Sequence, residues 1–393
     1  MTSKRTYFDY NATAPLCVEA RTAMAAVEGT FGNPSSVHAE GRAARAMIED
    51  AREQIAGIFQ VSPADVIFTS GGTEAAATIL SPGTGRRENR DPLSKLLVGA
   101  TEHDCVLRGH RFAADNVESL KVRQDGILDI DHLSQRIEEL GEAHGQASIM
   151  VTLQAANNET GILQPLSDVR DVLESSGALL VVDAVQCVGR TALDRDSLPG
   201  DVLFMSGHKF GGPKGSGAIV LRREGIEINQ MLRGGGQERN QRAGTENPAA
   251  IVGFAAALEA AIRDREIVQS RISGLRDTLE AGVLAITPDA VIIGGSVPRL
   301  QNTACIAISS LHAETSVIGF DLRGFAVSAG SACSSGKVGA SHVLEAMGLE
   351  AGLASSAIRV SLGKETSEDE VERFLEAWRD ITCSLEERRR GAA

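Results

Sequence analysis

The sequence lacks a cysteine framework. Its six cysteines, Cys17, Cys105, Cys187, Cys305, Cys333 and Cys383, are scattered and include no CxxC pair. That spacing offers neither a zinc cluster nor a disulfide scaffold, and no metal ligand set is expected; reduced thiols in the cytoplasm fit it better. Behind Lys4 and Arg5 there is no apolar run of the kind a signal peptide needs, so none is expected. No apolar stretch is long enough to cross a bilayer, which leaves no membrane partner to expect. An excess of positive charge is also missing. The net charge of −13 argues against a nucleic-acid partner, which requires a basic surface.

What is present reads as an ordinary globular enzyme, with 42% hydrophobic and 23% charged residues. A chain of 393 residues can bury a large core and divides into one large and one smaller domain. In its middle, strands alternate with helices: strands are expected at 66–69, 148–153, 178–182, 201–205 and 217–221, and a helix at 167–175. Short apolar strands with helical crossovers predict an α/β fold whose mainly parallel sheet is covered on both faces. A long helical stretch is expected over roughly 247–286, followed by short strands near 291–293, 304–308, 327–328 and 358–360 and a terminal helix at 368–387. The boundaries are read as 16–263 for the large domain and 264–393 for a smaller α+β domain, with residues 1–15 packed on the latter. The polar stretch 81–94 is read as a surface loop.

Lys209 lies in Ser206-Gly207-His208-Lys209-Phe210-Gly211-Gly212-Pro213, just after the apolar run 202–205. Asp183 ends the run Leu179-Leu180-Val181-Val182 in the same way. In parallel sheets ligands bind beyond the carboxyl ends of the strands, and both residues fall there. An amine and an acid so delivered are the two groups that pyridoxal phosphate requires, one for its aldehyde and one for its pyridine nitrogen.

Other residues admit two readings each. Ser70-Gly71-Gly72-Thr73-Glu74 is a phosphate-binding helix start or a plain turn with Thr73 as N-cap. His103 is a structural residue or an imidazole stacked on a flat ring. Asn157-Asn158-Glu159 is turn chemistry, though at the same sheet edge. Asp183 could itself cap a helix. Cys333, set among serines and glycines at 328–337, reads as an accessible thiol more readily than the other five. Arg359 is a surface ion-pair member or a clamp for a substrate carboxylate.

These motifs, together with Tyr7-Phe8-Asp9-Tyr10-Asn11-Ala12-Thr13-Ala14-Pro15, Gly32-Asn33-Pro34-Ser35-Ser36-Val37-His38 and Arg242-Ala243-Gly244-Thr245-Glu246-Asn247, occur in order along the whole chain. In them the chain resembles the group I cysteine desulfurases of the NifS/IscS type. The resemblance implies the type I fold of pyridoxal 5'-phosphate enzymes (aspartate aminotransferase-like), with a seven-stranded sheet, and a homodimer. It implies that sulfur is taken from L-cysteine, that L-alanine is released, and that a persulfide goes to a sulfur acceptor or an iron–sulfur scaffold protein. By position, it makes Lys209 the Schiff-base lysine and Asp183 the partner of the pyridine nitrogen. Gln186 falls at the ring phenolate oxygen and His103 stacks on the ring. Gly72, Thr73, Ser206 and His208 fall at the phosphate, with Thr245 from the other subunit. Asn158 and Arg359 fall at the substrate carboxylate, and Cys333 is the nucleophile. Against the family pattern, Ala75-Ala76-Ala77 replaces a more polar run, the 81–94 loop is long, and Cys105 sits beside His103. A selenocysteine lyase, another class V transaminase, or an inactive homologue serving as an assembly platform are the competing readings.

Overall fold

The computed structural model describes residues 5–86, 91–145, 148–309, 311–330 and 341–392. A short N-terminal strand, β1 (Thr6–Tyr7), precedes the seven strands of the central sheet. These are β2 (Val66–Thr69), β3 (Lys95–Gly99), β4 (Val117–Leu120), β5 (Ile149–Gln154), β6 (Leu179–Asp183), β7 (Val202–Ser206) and β8 (Gly217–Leu221). Across the sheet their order is β2-β8-β7-β6-β5-β3-β4. The strands from β7 to β4 pair in parallel, while β8 runs against both neighbours. The expected mainly parallel sheet of seven strands is therefore present.

Every residue of β5, β6, β7 and β8 is buried. In β6, Leu180 and Val182 pack on one face with Ile48, Ile55, Val169, Phe254 and Leu258. Leu179 and Val181 pack on the other with Ala75, Ile79 and Val106. Successive side chains leave a strand on opposite faces, so an unbroken aliphatic run belongs only where helices cover both. Each such side chain contributes about 1.5–3 kcal/mol of hydrophobic stabilisation.

Beyond the sheet, β9 (Val291–Ile293), β10 (Thr303–Ala307), β11 (Phe325–Ala326), β12 (Ser328–Ala329) and β13 (Ile358–Ser361) follow. Four of them form an antiparallel sheet of order β9-β10-β13-β12. Strand β1 pairs in parallel with β11, and Phe8 joins the cluster of Phe320, Phe325, Phe374 and Trp378. The first residues of the chain are thus woven into its last third.

Two expectations need refinement or correction. The helical stretch read over 247–286 is two helices, Pro248–Arg263 and Arg265–Ile286, interrupted at Asp264. The Asp264 carboxylate is engaged by Arg263 and Lys364, contacts that no local periodicity reveals. The stretch 81–94 is not simply a surface loop either. Ser81, Thr84 and Leu93 are buried, and Gly85–Arg86 pairs with Ile226–Glu227. The terminal helix extends to Ala392.

Candidate active site

A cavity of about 600 Å³ opens beyond the carboxyl ends of β6 and β7. Among its lining residues are Gly72, Thr73, His103, Asn158, Asp183, Gln186, Ser206, His208, Lys209 and Arg359. Its lining runs from Asn11 to Arg359: the parallel sheet brings successive strand ends to one edge, and Arg359 enters from the antiparallel sheet.

Asp183 is the last residue of β6 and is 7% exposed. Its Oδ1 accepts from Val185 N at 2.8 Å, so it closes a turn and caps no helix. Burial pushes its carboxyl up to about 6, opposed by the Val185 hydrogen bond and by Lys209. Lys209 ends the single helical turn Gly207–Lys209 after β7. Its Nζ donates to Asn11 O at 2.7 Å and to Ala12 O at 3.0 Å. The Gly207 turn is tight, since a Cβ there would meet Ser216 Oγ at 2.4 Å.

At the other wall, the helix Gly72–Ile79 begins at the cavity with Gly71 as its cap residue and no side chain capping it. Gly71 has φ 152°, and a Cβ on the facing Gly217 would lie 2.7 Å from Gly71 Cα. Glycines at both positions let backbone approach backbone there. Thr73 lies inside the first turn and is exposed, which removes the reading of it as an N-cap. Glu74, one residue further, also lines the cavity, and its carboxylate accepts from Arg242 Nε and from Ser70 N.

His103 caps the short helix Asp104–Leu107, its Nδ1 accepting from Cys105 N at 3.1 Å. It is both a structural and a cavity-lining residue. Burial, with help from Lys209, lowers its pKa. Burial and the neighbouring Lys209 and Lys214 bring His208 down to about 4, and its Nδ1 lies 3.2 Å from Thr13 Oγ1. Both imidazoles are neutral at pH 7.

Arg359, on β13, is 2% exposed and no surface residue. Its Nη2 donates to Asp9 Oδ1 at 2.7 Å and its Nη1 to Asn158 O at 2.9 Å. Its Nε is buried without a partner. The Asn158 carbonyl also accepts from Asn11 Nδ2 at 3.2 Å. Gln186 donates from Nε2 to Asn11 O at 3.1 Å.

Thr245 is exposed and does not line the cavity. Cys333 lies outside the described residues. The thiols that are described offer no nucleophile at this cavity: Cys105 lines it, but burial together with Asp183 and Glu102 raises its pKa far above neutral.

The sequence reading missed three groups. Asp9 pairs Arg359 from a strand entry 350 residues away. Arg190 stands behind Gln186. Glu102 is fully buried, with Oε1 accepting from Gln154 N and Oε2 unpartnered. Burial and the nearby Asp183 hold Glu102 well above the usual carboxylate range. Asp9 stood inside a quoted motif, but its partner is set only by tertiary folding.

The family model for class V aminotransferases matches residues 6–374. A cysteine desulfurase of Cereibacter sphaeroides is 39% identical over 97% of this chain and 97% of its own. The cysteine desulfurase NifS of Azotobacter vinelandii is 35% identical, covering 96% of this chain and 93% of its own. A solved structure described as a NifS-like protein superposes with a TM-score of 0.85 at 31% identity, over 96% of this chain and 99% of that one. With this fold and these strand-end residues, the chain belongs to the class V aminotransferase family, among its NifS/IscS-like cysteine desulfurases.

Proposed function

We propose that this chain is a cysteine desulfurase that holds pyridoxal 5'-phosphate in the cavity beyond β6 and β7. The observation that carries the reading is the meeting of Asp183 and Lys209 in one cavity with an uncapped helix start. The residues fit that cofactor. A buried acid with its pKa near 6 is unfavourable alone and suits a cationic ring nitrogen. The uncapped first turn at Gly72 and Thr73, beside Ser206 and a neutral His208, suits a phosphate. Neutral His103 suits a ring face.

When bound, the cofactor supplies an electron sink for the substrate carbon. Asp183 holds a proton on the ring nitrogen, and Gln186 donates to the ring's phenolic oxygen. Arg359 and Asn158 receive the carboxylate of L-cysteine, with Arg359 exchanging part of its bond to Asp9 for the substrate. Lys209 Nζ moves protons at the substrate carbon as general acid and base. The thiolate of Cys333 takes the substrate sulfur as a persulfide, leaving L-alanine. That assignment rests on the sequence and on the raised pKa values of Cys17, Cys105, Cys187 and Cys305.

The same reading makes the protein a homodimer in which Thr245 reaches the partner's phosphate site. It divides the chain near residue 264 and places it in the cytoplasm, passing sulfur to an acceptor or iron–sulfur scaffold protein. Incubation with L-cysteine followed by mass spectrometry is expected to find a persulfide on Cys333. Cys333→Ala should keep the visible absorbance of the bound cofactor and still bind cysteine, yet form almost no sulfide. Full turnover in that variant overturns the assignment. Lys209→Ala should lose the visible band of the resting protein, and an unchanged spectrum there would remove the lysine from its role.

A further inference from the structure

Arg190 is 8% exposed, and its four hydrogen bonds all go to neutral oxygens. These are the Gln186 carbonyl at 3.2 Å, Gln186 Oε1, and the carbonyls of Tyr10 and Lys209, both at 3.4 Å. Of the other buried arginines, Arg52 and Arg359 face carboxylates, while Arg222, like Arg190, is held by backbone carbonyls. A buried cation with no counter-charge is costly. Burial, with Arg359 adding to it, lowers the Arg190 pKa to about 10, which still leaves it charged at neutral pH.

A guanidinium can only donate, so Gln186 must turn Oε1 toward Arg190 and keep Nε2 as its donor toward the cavity. A cation on an amide oxygen draws electron density from the N–H at its other end and strengthens that donor. We infer that Arg190 is a positioning residue that locks and polarises the Gln186 amide, so that Nε2 stabilises an anionic oxygen of the ligand ring. The inference rests on the proposed cofactor site. Arg190 also ties Tyr10 and Lys209, fixing the amide relative to the lysine turn and the N-terminal segment.

The other titratable or charged groups facing this amide are Asp183 and Cys187 on its own turn, Tyr10, His208 and Lys209, and Arg359 from β13. Arg190 differs from all of them in touching Oε1 directly.

The pH titration of the resting holoenzyme's visible absorbance tests this without reference to turnover. Stabilising an anionic ring oxygen makes protonation of the adjacent imine nitrogen harder, so removing the cation raises the midpoint. Arg190→Gln is expected to raise it by about one unit, a tenfold change, while Arg190→Lys stays closer to the parent. In a Gln186→Leu background, Arg190→Gln should shift the midpoint by less than half as much, because the relay is already cut. An unmoved midpoint in Arg190→Gln, or an equal shift in both backgrounds, overturns the inference. Should Arg190→Gln fail to fold, Gln186→Leu alone must raise the midpoint, and an unchanged value there is equally fatal. A parent protein with no visible band after incubation with pyridoxal phosphate defeats the cofactor reading instead, which separates the two failures.

Discussion

Asp183 carries the clearest pH signature of any single residue. Its folded-state pKa of about 6 stands above the ordinary 3.8, so between those values the folded chain keeps a proton that the unfolded chain has lost. Stability of the cofactor-free protein therefore falls as pH rises from about 4 to about 6, by on the order of 3 kcal/mol. Asp183→Asn should flatten that slope in denaturant titrations at pH 4 and 7, and cut turnover by roughly 100-fold or more. Cys105 makes the opposite case: held protonated by burial, Cys105→Ala should leave persulfide formation on Cys333 within about twofold of the parent, read by mass spectrometry. Lys209 and Asp183 were legible in the sequence because each ends an apolar run. Arg190 and Asp9 were not. Asp9 finds its partner 350 positions away, and Arg190, though it holds Gln186 four residues back, is identified only with the Tyr10 carbonyl 180 positions away; nothing local distinguishes either from a solvated charge.

Among the elements, the segment from Gly236 to Gln241 stands out. Glu238, Arg239 and Asn240 take φ of 44°, 53° and 63°, three successive left-handed residues without a glycine. Such conformations cost about 1–3 kcal/mol each and persist only where surroundings enforce them. The enforcement is visible: Glu238 accepts from Arg52 Nη1 and Nη2, both at 2.8 Å, and from Phe68 N at 2.9 Å. Glu238→Ala removes the bidentate partner of buried Arg52 and leaves it only the Glu49 contact at Nε and the Val66 carbonyl, and should lower unfolding free energy by about 3 kcal/mol in urea titrations. A second anchor is Glu159, whose Oε2 accepts from Ser341 Oγ at 2.5 Å and lies 3.1 Å from where a Gly330 Cβ would stand. The strands that were read fell within a residue of their places because each is a short apolar run; the half-exposed strand at 117–120 was not read. Nor was the break at Asp264, since helix propensity continues through it and only distant Lys364 marks the corner.

For the whole molecule, the fold class was legible from the alternation of strands and helices, and the large sheet appears as expected. The weaving of β1 beside β11 was anticipated only as packing, because a two-residue strand carries no periodicity. Phe31 and Val37 are each 87% exposed and flank the Gly32–Ser36 motif, and Thr245 is exposed too. The proposed homodimer with shared sites would account for all three. Co-expressing Lys209→Ala with Thr245→Val should therefore restore sulfide release that neither variant shows alone, because one site per mixed dimer keeps both residues. No restoration, despite mixed dimers by native mass spectrometry, would confine Thr245 to its own subunit.

The Asn11 carbonyl receives both the Lys209 ammonium and the Gln186 amide. Those two donors, which the reaction needs elsewhere, are thus already occupied by backbone from the start of the chain. Binding of the proposed cofactor would then be a swap of partners, with little gained in hydrogen-bond number. On that reading, the strength of the grip on vitamin B6 would depend on how readily the Asn11 stretch lets those donors go.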